Sequence, residues 1–184
     1  MTAKMPTQLT TFTGAPLPLA AMPQDKLLTV NVDQIPLLND LLGVPGIHIK
    51  PLRLDPERGE WVFLAVLAPG CSLPIHYHTG TAQVYTMSGC WMYREYPDQP
   101  QTAGSYLYEP GGSVHTFYTP EDNTEDTVVI AWIEGAQVSF NDDGSFHSLN
   151  DATLIQHLTE TVSAARGLAP VRYIRGNGAV VSGS

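Results

Sequence analysis

Two motifs constrain this chain more than anything else in it: Gly70-Cys-Ser-Leu-Pro-Ile-His76-Tyr-His78 and Gly104-Ser-Tyr-Leu-Tyr-Glu-Pro110-Gly-Gly112-Ser-Val-His115. On a strand, alternate residues share a face and lie roughly 6–7 Å apart. His76 and His78 therefore turn to the same side and can close on one metal ion, at about 2.0–2.1 Å per metal–nitrogen bond with zinc as the guide. His115 follows a Pro/Gly turn and arrives from a later strand as a third ligand. Convergence of this kind is available from the inside of a β-barrel. Three protein ligands leave coordination positions open, which marks a catalytic rather than a structural site.

These residues resemble the two motifs of the cupin superfamily. The first cupin motif runs Gly, five residues, His-x-His, three or four residues, Glu, six residues, Gly. The second runs Gly, five residues, Pro-x-Gly, two residues, His, three residues, Asn. Gly70, His76 and His78 fit the first, and Gly104, Pro110, Gly112 and His115 fit the second. The likeness departs at Gln83, where Glu is usual, at Gly89, one residue early, and at Thr119, where Asn is usual. With only neutral imidazoles around it, a divalent ion keeps most of its charge and favours an anionic bidentate substrate such as an enolate. Gln83 can coordinate weakly, hydrogen-bond a bound water, or only fill space.

Within the cupins, the stretch His76-Tyr-His-Thr-Gly-Thr81 and the run Ser88-Gly-Cys-Trp-Met-Tyr-Arg-Glu-Tyr96 resemble the 2,4'-dihydroxyacetophenone dioxygenases. That resemblance implies an all-β fold, the cupin double-stranded β-helix or jelly-roll barrel, with Fe(2+) on His76, His78 and His115. It further implies a small aromatic ketone and O2 as substrates, with carbon–carbon cleavage to 4-hydroxybenzoate and formate. Cupins commonly pair, so a homo-oligomer, dimer or tetramer, is expected. One rival is a β-diketone-cleaving dioxygenase. Another is a non-catalytic zinc-binding sensor module attached to an anti-sigma factor. The sensor requires a separate helical domain, commonly with its own metal ligands, and residues 1–45 carry no His/Cys cluster.

At 184 residues the chain suits one domain with a substantial core. Nine Lys and Arg face 18 Asp and Glu, for a net charge of −9, so a phosphate backbone would be repelled and nucleic acid is not an expected partner. No apolar run approaches the roughly 18 residues of a membrane span. The first residues, Met1-Thr-Ala-Lys-Met-Pro, lack the apolar core of a secretory segment. The expected compartment is therefore the cytoplasm, with Cys71 and Cys90 reduced.

Residues 1–25 are rich in Thr, Pro and Ala and read as an N-terminal extension, either a disordered tail or an arm across a neighbouring subunit. Residues 26–148 read as the barrel, and 149–184 as a C-terminal helix and tail packing on it. Apolar alternation and turn signals predict strands at 26–31, 47–54, 60–67 and 171–175, and a helical turn at 36–42. They also predict three local hairpins, pairing 83–87 with 90–96, 106–109 with 115–118, and 126–134 with 136–140. Asn150 is the expected cap of a helix reaching Arg166, with Leu154, Ile155, Leu158 and Val162 as its apolar stripe and Gly167 at its end.

His48, His147 and His157 have simpler expectations: an exposed strand face, a loop and a polar helix face. Alternation places Trp91, Tyr93 and Glu95 together, opposite Arg94 and Tyr96. If Gln83 faces inward, Tyr85 and Met87 do so too. Gln83, Tyr85, Trp91 and Phe117 are the expected lining of a pocket for a flat phenolic ketone. Tyr93 and Glu95 are the expected catalytic pair, with Glu95 as general base and a metal-bound hydroxide as the alternative base. Glu109, just before Pro110, reads as structural.

Overall fold

Short apolar runs punctuated by Gly, Pro and Asp turns give sixteen strands and one α-helix among the described residues. A computed structural model describes residues 7–21, 28–176 and 180–181. In chain order the strands are β1 (Thr7–Thr10), β2 (Pro16–Ala21), β3 (Ile47–Asp55), β4 (Glu60–Leu67), β5 (His76–His78), β6 (Ala82–Ser88), β7 (Cys90–Tyr93) and β8 (Gln101–Thr102). They continue with β9 (Tyr106–Glu109), β10 (Val114–His115), β11 (Phe117–Tyr118), β12 (Thr127–Glu134), β13 (Gln137–Phe140) and β14 (Phe146–Asn150). Helix α1 (Ala152–Ala165) precedes β15 (Ile174–Arg175) and β16 (Val180–Val181).

The barrel wall is a seven-stranded sheet, β16-β15-β3-β4-β12-β6-β9, facing two smaller sheets, β10-β5-β13-β14 and β11-β7-β8. This is the expected all-β jelly roll with a C-terminal helix. Its core is filled from β3, β4 and β12, where Ile49, Trp61, Phe63, Ala65, Val129, Ala131 and Ile133 point inward, joined by Trp91 and Phe117 from the opposite wall. Each such large side chain, fully buried, contributes about 1.5–3 kcal/mol relative to exposure. The β3–β4 turn is held by Arg53, whose guanidinium reaches Glu60 at 2.7 Å and Asp55 at 3.2 Å.

The strands expected at 47–54 and 60–67 form, but the three predicted local hairpins do not. β6 pairs with β12 and β9; β7 pairs with β11 and β8. β10 pairs with β5 rather than β9, and β13 pairs with β5 and β14 rather than β12. Gly89 shows why the first hairpin fails. Its φ is +74°, and an added Cβ would lie 2.5 Å from Thr127 Oγ1. The chain turns there hard against β12, and Thr127 Oγ1 accepts from Cys90 N at 3.0 Å, so β7 starts in the other wall.

Several further expectations change. Residues 7–21 of the extension form the antiparallel β1–β2 hairpin rather than a tail; residues 1–6 and 22–25 lie outside the described residues. Residues 28–31 are not a strand, and 26–27 lie outside the description: Asn31 Oδ1 caps a 3-10 turn at Val32–Gln34 by accepting from Asp33 N. In place of a helical turn at 36–42, Leu38 bridges Ile49 through both backbone hydrogen bonds. His48 is half-buried, and its Nδ1 lies 3.3 Å from the Asp40 amide that donates to it.

Asp151, one residue beyond the expected Asn150, caps α1 by accepting from Leu154 N at 2.8 Å. The helix packs against β3, burying Ala152, Ile155, Thr159 and Ser163; of the expected stripe only Ile155 is fully covered. The last predicted strand shrinks to β15, parallel to β3. Both cysteines are free. Among the described residues, no helix is long and apolar enough to cross a membrane.

Candidate metal centre

His76 and His78 point inward from β5, and His115 from β10, where it sits directly opposite His76 in antiparallel register. All three are buried, at 2%, 4% and 1% exposure. One ring nitrogen from each lies within 4.8 Å of the others. The rings of His76 and His115 meet edge-on, with centroids 4.6 Å apart and planes at 90°. Pro74 O, which can only accept, takes a hydrogen bond from His76 Nδ1 at 2.8 Å. That fixes the tautomer and leaves Nε2 with a free lone pair, the arrangement a metal ligand requires.

The sequence reading missed a fourth group. Glu109, from β9, places Oε2 3.3 Å from His115 Nε2 and 3.7 Å from His78 Nε2. Its other oxygen accepts from the Tyr93 hydroxyl. Tyr93 itself stacks on the His115 ring, with centroids 4.0 Å apart. Glu109 Oε2, His115 Nε2 and His78 Nδ1 are buried without a hydrogen-bond partner. Orphaned buried polar atoms carry a desolvation cost of roughly 1–3 kcal/mol each, so such a cluster fits a bound cation. The three histidines can hold a metal ion.

Burial governs the protonation of the cluster. Desolvation, then repulsion from the neighbouring imidazoles, lowers His78 to about 3; desolvation and then His76 lower His115 to about 3. His76 is also lowered, by burial first. The imidazoles are thus neutral, as ligands must be. Desolvation raises the Glu109 carboxyl to about 7 against the opposing pull of the Tyr93 hydrogen bond, and burial followed by the Glu109 charge holds Tyr93 firmly protonated.

The cluster faces a cavity of about 90 Å³ walled by apolar side chains, among them Phe63, Val84, Trp91, Phe117 and Val129. Of the expected site residues, Trp91, Tyr93 and Phe117 line this cavity, Trp91 fixed by donating from Nε1 to Thr86 Oγ1 at 2.9 Å. Gln83, Tyr85 and Glu95 do not. The inward residues of β6 are Ala82, Val84 and Thr86, so Gln83 and Tyr85 face outward; Gln83 accepts from the Tyr106 hydroxyl, and Tyr85 is 48% exposed. Counting three residues rather than four after His78 puts Ala82, not Gln83, at the usual Glu position. Ala82 lies directly opposite Glu109, which fills the space that its small side chain leaves.

Glu95 is an exposed structural carboxylate. It accepts from Thr116 N and Thr116 Oγ1, both at 2.8 Å. Burial pushes its carboxyl up, but the Thr116 hydrogen bonds outweigh this and hold it below the usual range. Thr119, in place of the usual Asn, is also structural: its buried hydroxyl donates to Ala68 O and accepts from Cys71 N, tying the two motifs' flanks together. Gln137, buried beside His78 on the cavity wall, is a second residue that the sequence did not single out.

Residues 26–137 match the profile of the ChrR cupin-like domain. The chain belongs to that cupin family. A crystal structure of a protein of unknown function with a cupin-like fold, from Ralstonia eutropha JMP134, is 46% identical, with 85% of this chain and 96% of that one covered and a TM-score of 0.80. An RmlC-like cupin from the same organism is 25% identical over 79% of this chain and 92% of its own, at a TM-score of 0.73. An acetylacetone dioxygenase from Acinetobacter johnsonii shares the fold at 17% identity, covering 75% of this cupin and 93% of itself, with a TM-score of 0.60. Among curated proteins, none matches the chain.

Proposed function

We propose that this cupin is a non-haem, iron-dependent dioxygenase that cleaves a carbon–carbon bond beside the carbonyl of an enolisable ketone. The first substrate is the aryl α-hydroxyketone 2,4'-dihydroxyacetophenone, giving 4-hydroxybenzoate and formate. The observation that carries this is the buried set of neutral His76, His78 and His115 with an unpartnered Glu109 oxygen among them, facing an apolar cavity. Iron held by the three imidazoles would supply Lewis acidity toward the ketone and the redox chemistry of dioxygen.

The protein's own contribution is a proton acceptor in a dry site. Glu109, its Oε2 buried without a hydrogen-bond partner beside His78 and His115, stands where it can take the α-proton of a ketone and return it. Tyr93, locked between Glu109 and the face of His115, orients that carboxylate. Phe63, Trp91 and Phe117 exclude water and so protect a reactive carbanion-like state from protonation.

A β-diketone is the second reading, favoured by the size of the inner cavity. Its volume of about 90 Å³ falls below the roughly 150 Å³ of an apolar cavity that accepts benzene. The test is oxygen uptake by Fe(II)-reconstituted protein with each ketone, products assayed in parallel. Uptake with 2,4'-dihydroxyacetophenone matched by 4-hydroxybenzoate and formate supports the first; uptake with acetylacetone alone supports the second. No uptake with either, and tight zinc in the purified protein, would return the chain to the sensor class.

A further inference from the structure

Tyr93 and Glu109 have a second face. β9 is the last strand of the seven-stranded sheet, and β7 belongs to a different sheet; no backbone pairing among the described residues joins them. The barrel wall has a seam there, bridged by the Tyr93–Glu109 hydrogen bond. Outside that bridge lies another cavity, about 160 Å³ in volume, walled by Tyr96, Gln99, Gln101, Leu107, Tyr108 and Ser113. Tyr93, Glu109 and His115 form its inner end, so the seam pocket and the inner cavity share the Tyr93–Glu109 wall.

The two cavities differ in size and in chemistry. An apolar cavity of roughly 150 Å³ holds benzene and also takes up xenon. The inner one, at about 90 Å³ and almost wholly apolar, is too small for a ring but suits an apolar diatomic gas. The seam pocket is large enough for a phenyl group, and Tyr96 and Tyr108 offer rings to pack against it. Its polar atoms are also biased. Ser113 Oγ already donates to Pro110 O, and Gln101 Nε2 to Gln99 O, which leaves oxygen lone pairs on Ser113 and Gln101 to accept from a phenolic O–H. Glu109 and His115 make its inner end polar, so the carbonyl end of a ketone would point there, toward the metal-ligating histidines.

We infer that the seam pocket between β7 and β9 is the binding site for the hydroxyphenyl ring of an aryl ketone, with the carbonyl end directed at His115 and Glu109, and that the inner cavity receives dioxygen. This rests on the aryl-ketone reading above and resolves its conflict with the small inner cavity: the ring never enters the barrel core.

The test uses binding without turnover. 4-Hydroxyacetophenone keeps the ring and carbonyl but lacks the α-hydroxyl, and its affinity is measured by calorimetry on the zinc-loaded full chain. Ser113→Phe narrows the seam pocket, Val84→Phe narrows the inner cavity, and Met87→Ala alters the outer face of β6 as a control. Ser113→Phe should weaken binding at least about tenfold, with the other two within about twofold of the parent. Unchanged affinity in Ser113→Phe with loss in Val84→Phe overturns the assignment, as does no saturable binding by the parent protein. Because a substituted barrel can misfold, the parent crystal is also examined under xenon and with 4-hydroxyacetophenone. Xenon in the inner cavity and the ring in the seam support the inference; the ring in the inner cavity overturns it. Seam binding without cleavage of 2,4'-dihydroxyacetophenone would remove the dioxygenase reading and leave the pocket standing. Normal turnover with unchanged KM in Ser113→Phe would do the reverse.

Discussion

Removing any one imidazole from this cluster takes away one of three convergent ligand nitrogens, and the neighbouring Glu109 carboxylate is tied through one oxygen to the Tyr93 hydroxyl rather than free to replace it. His76→Ala, His78→Ala and His115→Ala should each lose stoichiometric bound metal by elemental analysis, whereas Gln83→Ala should retain it, because Gln83 faces away from the site. On the proposed dioxygenase reading, Glu109→Gln separates binding from proton transfer: the bound metal should stay, and kcat should fall by about 10²–10⁴-fold, the range of a lost general base. Unchanged kcat in that variant would remove Glu109 from the chemistry. Glu95→Gln should instead cost stability, since its carboxylate holds the Thr116 amide and hydroxyl. The histidines were legible because two glycine and proline frames fix their positions. Glu109 was not, since its partner in the site is a small residue, Ala82, on another strand. The cross-strand register shows the acid beside the histidines on β9, opposite the motif position on β6.

At the scale of elements, strand existence could be read from alternation and turn residues, while strand pairing could not. Local hairpins are the short-range expectation, but this barrel pairs β5 with β10 and β13, and β12 with β4 and β6, across long separations in sequence. What redirects the chain is backbone geometry at single residues, and Gly89 is the sharpest case. Gly89→Ala places a Cβ in a positive-φ position against Thr127, so it should cost about 1–3 kcal/mol or more by chemical denaturation. The helix start gives a cleaner comparison. Asp151→Ala removes the cap hydrogen bond to Leu154 N and should lower stability by about 0.5–2 kcal/mol. A cap at Asn150, as the sequence suggested, would have made Asp151→Ala nearly neutral.

The whole molecule carries its site as a store of unfavourable desolvation, and that store depends on pH in the metal-free protein. His78 and His115 fall to about 3 on folding, from an ordinary value near 6.5. Between those limits the unfolded chain binds more protons, so their contribution is fully present above pH 6.5 and is lost as pH falls. Glu109 has the opposite sign: raised from 4.5 to about 7, it stabilises the folded state below pH 4.5, and that contribution disappears as pH rises through 7. From pH 6.5 down to 4.5, two histidines, with His76 adding in the same direction, oppose one carboxyl. At pH 6.5 the two sides nearly cancel; the histidines win increasingly below that, and the net reaches roughly one proton near pH 5.5, or about 1.4 kcal/mol per pH unit. Melting of the metal-free protein should therefore drop steadily from pH 6.5 to 4.5, and more steeply in Glu109→Gln, where the opposing carboxyl is gone. A divalent metal binds the same neutral nitrogens, and at a hundredfold excess over its dissociation constant it adds about 2.7 kcal/mol. Chelation at pH 7 should lower the melting temperature of the parent protein and leave that of His76→Ala where it was. An equal response in both would place the stabilising metal somewhere other than these three histidines.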